Sequence, residues 1–456
     1  MNRILNTANR YFFVGIAGTG MSAIAQYLNG IGKEVAGSDR LFEKHQVPLQ
    51  QQFEALGIKC YLQDGSGLDK GIEVVVVSTA IEESNLEFSK AVALKIPVVK
   101  RSEVLAFLTS TRKTIAIAGT SGKSTTAAMV FHILSGCSLN PSLITGAGLI
   151  DLQEKGLPGN AWVGKGDWLV IEADESDGSI VNYYPETGVV VNIDRDHKEL
   201  EELMSLFTRF RDQTKGKFIV NYASPGARKF SLIKQNDFGF HEGVGIRGES
   251  FKQAGYKISF TVNDIYCEIP VTGKFNMENA LAALAASATT GISLADAVKS
   301  LKTYKGIYRR MQVVGEKKGV VFIDDFAHNP VEVAAAISSC QLMAKRVIAW
   351  FQPHGYGPLR FMQHDLIDLV KNVLREADIF IMSDIYYAGG TVEKDIHPLD
   401  IIEPLKKFHA DARYMGTRDE LIDFLNNILS DRDVVLLMGA RDPSLAGFAK
   451  YLFQNY

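Results

Sequence analysis

Short apolar runs alternate with amphipathic stretches through the first hundred residues of the chain. Runs at 11–14, 34–36, 74–78 and 98–99 predict strands, and the stretch at 21–31 predicts a helix between the first two. Strands separated by helices are typical of βαβ units in a parallel sheet. The first block is therefore predicted to be an α/β domain.

The same alternation restarts twice further along the chain. A strand at 114–118 enters a second glycine-rich turn, and a helix follows it. Later strands and helices of this second block are predicted at 168–171, 188–191, 200–210, 257–262 and 279–289, and strands of a third series at 320–323, 346–351, 379–383 and 433–438. The pattern predicts an α/β fold with domains at 1–110, 111–308 and 309–456.

Composition narrows the class of protein. The 456 residues are 46% hydrophobic and 22% charged, as in soluble globular proteins, and the length favours two or three domains. The net charge of −3, without a block of like charge, argues against a nucleic-acid partner. Four scattered cysteines form no disulfide or zinc pattern, and no signal-like or membrane-length apolar run occurs. We expect a cytoplasmic protein without a membrane partner.

The first glycine-rich turn follows a predicted strand and opens a helix. Gly18, Gly20 and Ala23 fit G-x-G-x-x-G/A, whose glycines let the backbone approach a diphosphate at a helix N-terminus. Asp39 ends the next strand, where an acid commonly holds a ribose hydroxyl. The ligand could be NAD-like or UDP-like, and a turn that binds nothing also fits.

The second turn, GTSGKSTT at 119–126, is more specific. Backbone N–H groups and Lys123 can neutralise a triphosphate, and the Ser124 hydroxyl is placed to bind Mg²⁺. The turn is a shortened variant of the P-loop pattern, because Ile117 stands where that pattern has glycine. It predicts a nucleoside triphosphate site, and an accidental match to the motif is the less favoured alternative.

Polar clusters follow three further apolar strands. Glu172 begins EADESD, and it is the best candidate for a Mg²⁺ ligand because an acid at a strand end beside such a loop is a usual source. His197 in NIDRDH could serve a second metal, although a lone histidine is more often structural. Asp325 and His328 in DDFAHNP end a strand of the third series. These residues indicate a nucleoside triphosphate enzyme with a second phosphate-bearing ligand.

With these motifs, the chain resembles the Mur ligase family, which forms amide bonds with ATP in peptidoglycan synthesis. The blocks that carry the resemblance include FVGIAGTGMSAIA, AIAGTSGKSTT, EADESDGS, GKFNMENALAA, DDFAHNPVEV and FQPHGYG. The resemblance implies three domains: an N-terminal Rossmann-like domain for a UDP-sugar, a central P-loop ATPase domain, and a C-terminal Rossmann-like domain for the acceptor. It is nearest to members that join L-alanine to UDP-N-acetylmuramate, with murein tripeptide ligases as close relatives.

The resemblance also assigns residues. Catalytic roles fall to Lys123, Glu172 and His197, and the metal, expected to be Mg²⁺, to Ser124, Glu172 and His197. ATP binding is implied for Gly119, Thr120, Ser121, Gly122, Lys123, Ser124, Thr125, Asn276, Asn279, Arg310, Asp325 and His328. UDP-sugar binding is implied for Gly18, Thr19, Gly20, Met21, Ser22, Asp39 and Ser78, and amino-acid binding for His354 and Arg360.

The sequence departs from the family pattern after FQPH, where related enzymes carry several arginines and this chain reads Gly355-Tyr-Gly-Pro-Leu-Arg360. A guanidinium suits a carboxylate and glycine does not, so the acceptor stays open between L-alanine, another amino acid and a tripeptide. A divergent ligase, a regulatory protein without turnover and an NAD-dependent dehydrogenase are the remaining alternatives. The last does not explain GKST. We expect a monomer or homodimer.

Overall fold

The computed structural model describes residues 2–43, 47–193, 200–387, 393–408 and 411–456. The chain divides into two compact units. Unit 1 consists of Met1–Ser250, Phe260–Ile269 and Met277–Ile307, and unit 2 of Phe251–Ser259, Pro270–Asn276 and Tyr308–Tyr456. The two units are described separately below.

Unit 1 begins with a doubly wound sheet. Its elements are α1 (Asn2–Thr7), β1 (Arg10–Val14), α2 (Thr19–Gly30), β2 (Glu34–Ser38), α3 (Pro48–Ala55), β3 (Lys59–Tyr61), β4 (Val74–Val77), α4 (Leu86–Ala93), β5 (Val98–Lys100) and α5 (Arg101–Ser110). The strands are parallel in the order β3-β2-β1-β4-β5. The carboxyl ends of β1, β2 and β4 therefore meet at one edge, and the first glycine-rich turn leaves β1 there.

A second sheet carries the second glycine-rich turn. Its elements are β6 (Lys113–Ala118), α6 (Lys123–Gly136), β7 (Ser142–Ile144), α7 (Ile150–Gln153), β8 (Ala161–Trp162), β9 (Trp168–Glu172), β10 (Thr187–Val190), α8 (Leu200–Gln213) and β11 (Lys217–Val220). The strand order is β11-β10-β6-β9-β7-β8, and β6 pairs in parallel with β9 and β10. The residues that follow β6, β9 and β10 are thus neighbours.

The segment after β11 completes unit 1 and crosses into unit 2. Its elements are α9 (Pro225–Arg228), β12 (Phe238–Gly239), β13 (Ile246–Ala254), β14 (Lys257–Val262), β15 (Ile265–Ile269), α10 (Lys274–Ala288) and α11 (Leu294–Leu301). The strands form a separate sheet in the order β12-β13-β14-β15. Helix α10 starts five residues before the predicted position 279, so it carries both Asn276 and Asn279.

Unit 2 contains the third α/β series. Its elements are β16 (Gln312–Lys317), β17 (Val320–Asp325), α12 (Pro330–Gln341), β18 (Arg346–Phe351), α13 (Tyr356–Val373), β19 (Ile379–Met382), α14 (Leu399–Lys406), β20 (Ala412–Tyr414), α15 (Arg418–Ile428), β21 (Asp433–Met438) and α16 (Leu445–Asn455). The order is β16-β17-β21-β18-β19-β20, with β16 antiparallel to β17. Strand β21 therefore lies between β17 and β18.

The cores follow from the buried parallel strands. One cluster of buried side chains runs through both sheets of unit 1, from Phe13 and Val76 to Ala116 and Ile171. The sheet of unit 2 buries both faces, with Phe351 on one side and Trp350 on the other. Each such large apolar side chain contributes about 1.5–3 kcal/mol on burial, which holds the strand ends in place. The predicted α/β class with parallel sheets is confirmed.

Bilayer-spanning segments need both length and sustained apolar character, and in the described ranges no helix combines the two.

Candidate functional site

The second glycine-rich turn lies where three neighbouring strands of unit 1 end. Residues 119–122 connect β6 to α6, and Lys123 is the first residue of that helix. The N-terminus of a helix exposes unpaired N–H groups and a partial positive charge. The EADESD segment begins at Glu172, the last residue of β9, on one side of the turn. Asn192 follows β10 on the other side. This arrangement builds an anion site with acids beside it.

Two glycines give this turn its shape. Gly119 has φ +138° and Gly122 has φ +81°, a region that L side chains rarely adopt. A Cβ at position 122 would lie 2.4 Å from Oδ1 of Asn279, and one at 119 would lie 3.0 Å from the backbone N and O of Asn192. The turn therefore requires glycine for its φ angles and for its close neighbours.

Lys123 points back over the turn that precedes it. Its Nζ donates to the carbonyl oxygen of Gly119 at 2.8 Å and to Oε2 of Glu175 at 3.0 Å, and it lies 3.7 Å from Oδ1 of Asp174. Burial alone would lower the pKa of Lys123, but the charges of Glu175, Glu172 and Asp174 raise it. Lys123 is consequently a fixed cation in the turn.

Ser124 and Glu172 form the candidate metal site. The Ser124 hydroxyl donates to Oε2 of Glu172 at 2.7 Å, and the same oxygen accepts from Thr145 Oγ1 at 3.2 Å and Gly146 N at 2.8 Å. A hydroxyl and a carboxylate suit Mg²⁺, which usually takes one or two protein oxygens and fills its shell with phosphate and water. Within the described residues, no group of three or more His, Cys, Asp and Glu is placed to hold a metal. Ser124 and Glu172 fit a metal that phosphates also bind.

Asn192, which follows β10, forms hydrogen bonds with the second glycine-rich turn. Its Oδ1 accepts from Thr120 Oγ1 at 2.9 Å and from Ser121 N at 2.8 Å, and its Nδ2 donates to Ser121 O at 3.1 Å. Thr120 and Ser121 are thereby held before any ligand arrives. His197, the predicted residue for a second metal, lies outside the described residues.

Two asparagines of α10 were predicted to face the adenine. Asn279 is buried, and its Oδ1 accepts a long hydrogen bond of 3.4 Å from Thr126 Oγ1 of α6. Asn276, also buried, donates from Nδ2 to Thr272 O at 2.7 Å. Asn279 thus lies beside the turn, while Asn276 belongs to unit 2 and is bonded within its own segment.

The first glycine-rich turn is tied to the end of β2. Ala17 N donates to Oδ2 of Asp39 at 2.9 Å, and Leu41 N donates to Oδ1 at 3.0 Å. Asp39 therefore fixes the turn in addition to its predicted contact with ribose. The Met21 side chain is 3% exposed and packs in the core, which leaves its backbone for any ligand contact.

A cavity of about 420 Å³ opens near the carboxyl ends of β2 and β4, and it is lined from Arg40 onward after β2 and from Ala80 onward after β4. Its lining residues follow β2 and β4 or lie close to them, and they are Arg40, Gln63, Ala80, Ile81, Glu82, Ser84, Asn85 and Leu86. The polar side chains of this cavity suit a nucleoside. None of the predicted UDP-sugar residues lines this cavity, although Arg40 directly follows Asp39 and Ala80 lies two residues after Ser78.

Asn160, just before β8, joins the two sheets of unit 1 at the first turn. Its Nδ2 donates to Thr19 O at 2.9 Å and Ser22 Oγ at 2.7 Å, and its Oδ1 accepts from Gln26 Nε2 at 2.7 Å. Asn160 and Gln26 are both buried. Ser22, a predicted ligand residue, is thus bonded to Asn160.

In unit 2, Asp325 is the last residue of β17 and His328 lies three residues beyond it. Asp325 is 7% exposed and accepts from Met311 N at 2.5 Å and Ala327 N at 2.7 Å, and burial raises its pKa to about 6. His328 Nδ1 lies 3.1 Å from Oε2 of Glu332. Burial alone would lower the pKa of His328, but the hydrogen bond and charge of Glu332 raise it.

Arg310 belongs to the same group of residues. Its Nη1 lies 3.8 Å from Oε1 of Glu332, and its guanidinium lies 5.1 Å from the ring centre of Phe326. The predicted residues Arg310, Asp325 and His328 are therefore brought together, and Glu332 links two of them. The sequence analysis did not single out Glu332.

The two predicted amino-acid residues differ in their surroundings. His354 follows β18, and its ring centre lies 5.7 Å from that of His328. Burial and the charges of His328 and Arg441 lower the pKa of His354 to about 4, so its ring is neutral near pH 7. Arg360, on α13, is ion-paired with Asp395 and half exposed.

Comparison with known proteins decides the family. Family models match in succession at residues 10–113 ("Mur ligase family, catalytic domain"), 117–287 ("Mur ligase middle domain") and 309–441 ("Mur ligase, glutamate ligase domain"). The UDP-N-acetylmuramate--L-alanine ligase of Syntrophomonas wolfei is 31% identical over 452 residues, covering 94% of each chain. The chain belongs to the Mur ligase family.

Solved structures agree on the fold of this Mur ligase. A UDP-N-acetylmuramate-alanine ligase from Thermotoga maritima matches with a TM-score of 0.80 at 22% identity, covering 98% of this chain and 99% of the other. A murein peptide ligase from Psychrobacter arcticus matches with a TM-score of 0.67 at 20% identity, covering 98% of each chain. Both likenesses confirm the fold expected from the sequence.

Three residues that shape the turns of this Mur ligase are not among the site residues predicted from its sequence. Glu175 and Asn192 were visible in EADESD and NIDRDH, and their positions at strand ends were the available signal. Asn160 had no such signal, because nothing in its local sequence indicates that it reaches Thr19.

Proposed function

We propose that this Mur ligase joins an amino acid, first of all L-alanine, to the carboxylate of UDP-N-acetylmuramate, with conversion of ATP to ADP and phosphate. The Ser124–Glu172 hydrogen bond beside Lys123 carries the proposal. It places two candidate metal ligands next to a cation that can bind phosphate, all at the second glycine-rich turn. The substrate assignment is supported by the Syntrophomonas wolfei relative, whose name specifies UDP-N-acetylmuramate and L-alanine.

The residues around the second turn suit phosphoryl transfer to a carboxylate. The sugar carboxylate attacks the γ-phosphate, which gives an acyl phosphate and ADP. The acceptor amine then displaces phosphate. Both partners in the first step are anions, so fixed positive charge is required where they meet. Lys123 and the N-terminus of α6 supply it.

Ser124 and Glu172 would hold Mg²⁺, which when bound neutralises charge on the phosphates. Thr145 and Gly146 orient Glu172 by their hydrogen bonds to its Oε2. Asn192 holds the backbone of the turn, so little reorganisation is needed on binding.

The first glycine-rich turn and the cavity beside it are the proposed site of the UDP-sugar. The N-terminus of α2 faces the diphosphate, and the polar cavity walls take the nucleoside. The acceptor is assigned to unit 2, at the strand ends that carry His354.

The test measures phosphate release by the full chain with ATP, Mg²⁺ and UDP-N-acetylmuramate. L-alanine, L-serine, glycine and the murein tripeptide are compared as acceptors, and the product mass is recorded. We expect turnover with L-alanine and a product heavier by one alanyl residue. Reactions without acceptor or without the UDP-sugar are the controls.

Turnover with the tripeptide alone would instead assign the protein as a murein tripeptide ligase of cell-wall recycling. The sequence Gly355-Tyr-Gly-Pro-Leu, which replaces the arginines expected after FQPH, makes this the second candidate. Absence of product with every acceptor would contradict both.

A further inference from the structure

Three residues stand at matching positions after adjacent strands of unit 2. Asp325, Met438 and Phe351 are in register across β17, β21 and β18. His328, Arg441 and His354 each lie three residues beyond one of these positions. Because β21 is the middle strand, Arg441 follows the strand that separates the strands of the two histidines. The effect of its charge on His354 agrees with this placement.

The turn that carries Arg441 is firmly held. Asp442 accepts from Ser444 N at 2.9 Å, Ser444 Oγ at 2.6 Å and Arg418 Nη2 at 2.7 Å. Asp442 is 8% exposed, so its charge is matched within the turn. Arg309 also donates to the carbonyl oxygen of Gly439 at 2.7 Å, next to the end of β21.

The acids around Arg441 already have partners. Glu332 is paired with His328 and Arg310, Asp325 accepts from two backbone N–H groups, and Asp442 is paired with Arg418. Within the part of the chain that the structure describes, Arg441 has no ion-pair partner and is exposed. An exposed guanidinium without a counter-ion, carried on a turn that is itself held by hydrogen bonds, is suited to a ligand anion.

The imidazole of His354, which follows the adjacent strand β18, offers a second polar group. Nδ1 of His354 is buried and has no hydrogen-bond partner among the described residues. A neutral imidazole nitrogen can accept a hydrogen bond from an amine. A ligand with a carboxylate and an amine on adjacent atoms would satisfy both groups, whereas a phosphate would satisfy the guanidinium only.

We propose that Arg441 binds the carboxylate of the incoming amino acid, with its amine directed to His354. The assignment rests on the proposed ligase function and supplies the carboxylate contact that the residues after FQPH lack. Arg360 is less suited to it, because Asp395 already neutralises its charge. Arg441 is thus a specificity-determining residue for acceptors with a free α-carboxylate.

Equilibrium binding tests this without turnover. L-alanine and L-alaninamide are titrated calorimetrically into the full chain with Mg²⁺, UDP-N-acetylmuramate and a non-hydrolysable ATP analogue. We expect the wild-type chain to bind the acid at least about tenfold more tightly than the amide, since a charge-assisted pair is lost with the amide. Arg441→Ala should bind both with similar, weak affinity, and Arg441→Lys should fall between.

Arg432→Ala is the matched control, because Arg432 is an exposed arginine at the amino end of the same strand. It should keep the wild-type preference. Affinity for the ATP analogue, measured for each variant, reports whether the fold and the nucleotide site are intact. Loss of acid preference with unchanged analogue affinity supports the proposal, whatever the turnover assay gives.

Three results would overturn it. The wild-type chain could bind acid and amide equally, Arg441→Ala could retain the preference, or Arg441→Ala could weaken only the ATP analogue, which would make Arg441 a phosphate contact. The second and third results leave the ligase proposal standing. Failure of the ligase proposal is recognised separately, by absence of product with every acceptor.

Discussion

Lys123 illustrates how a single side chain can be prepared for its ligand. Glu175 is 4% exposed and lies 3.0 Å from the lysine Nζ, so the cation stays charged and ordered although it is largely buried. A triphosphate entering the turn would compete with Glu175 for the same cation. Removing the lysine takes away the fixed charge and leaves the surrounding acids unopposed.

We therefore expect Lys123→Ala to lower ATP-dependent product formation by about 100-fold or more, the usual cost of losing one preorganised charge donor. Binding of UDP-N-acetylmuramate should remain, because its proposed site lies at another sheet edge. Phosphate release and sugar-nucleotide titration measure the two effects. Lys113→Ala, at the opposite end of β6, is the control. Loss of both functions would contradict the assignment of separate sites.

His354 gives a prediction on pH. Its pKa is about 4 in the folded chain and near 6.5 when unfolded, so between these values the unfolded state binds more protons. Its contribution to stability is present above pH 6.5 and is lost as the pH falls towards 4. His354→Gln should therefore show a smaller drop in melting temperature from pH 7 to pH 5 than the wild-type chain.

His364→Gln changes an exposed histidine on α13 and should follow the wild-type curve. Calorimetric melts over this pH range measure all three proteins. An equal drop for His354→Gln and the wild-type chain would count against the low pKa.

Among the secondary-structure elements, many of the predicted site residues lie at or just after the ends of parallel strands. The sequence pattern placed β6, β9, β17 and β18 within a residue or two, because buried parallel strands are continuous apolar runs. It missed β7, β8 and β12, which have only two or three residues each and little periodicity to detect. The turns after the long strands were recognisable because glycine is needed at specific φ angles.

Gly122 tests the second turn. Gly122→Ala forces an L side chain to φ +81° and places Cβ 2.4 Å from Asn279 Oδ1. The φ angle costs about 1–2 kcal/mol, and displacement of the turn should reduce phosphate release by about 100-fold. Denaturant melts and the phosphate assay measure the two effects.

Gly156→Ala separates the two causes. Gly156 has φ +80°, and a Cβ there would meet no atom within 4 Å. This variant should lose a similar amount of stability and keep its activity. Comparable activity in the two variants would show that the contact with Asn279 is unimportant.

At the scale of the whole molecule, unit 1 joins two sheets through one shared core and the Asn160 amide. The side-chain amide of Asn160 provides hydrogen-bond partners for buried polar groups on α2. A buried polar group left without a partner costs about 1–3 kcal/mol of stability. The three domain boundaries and the oligomeric state remain predictions of the sequence analysis.

Asn160→Ala should accordingly lower the melting temperature and weaken UDP-N-acetylmuramate binding, since Thr19 and Ser22 lose the partner that orders the first turn. Titration with the sugar nucleotide and thermal melts provide the measurements. Asn427→Ala, which removes an exposed amide on α15, is the control. Unchanged sugar affinity in Asn160→Ala would mean that the first turn is ordered without this bridge.

The class of fold, the two glycine-rich turns and the residue types at the strand ends can be read from the order of amino acids alone. These features are local: an apolar run of a given length forms a buried strand, and a glycine turn at its end exposes backbone N–H groups. The proximity of Lys123, Ser124 and Glu172 could therefore be predicted, because they follow or end neighbouring strands.

Which side chains meet depends on how the strands are arranged in the folded chain. Three features depend on strand order and register: the ion pair of Lys123 with Glu175, the hydrogen bond from Asn160 to Thr19, and the place of Arg441 after the strand between those of the two histidines. Neighbouring strands such as β17, β21 and β18 are far apart in the chain, so their pairing is fixed by packing of the whole sheet. Local sequence carries no record of that pairing, because each strand would be equally stable beside another buried apolar strand.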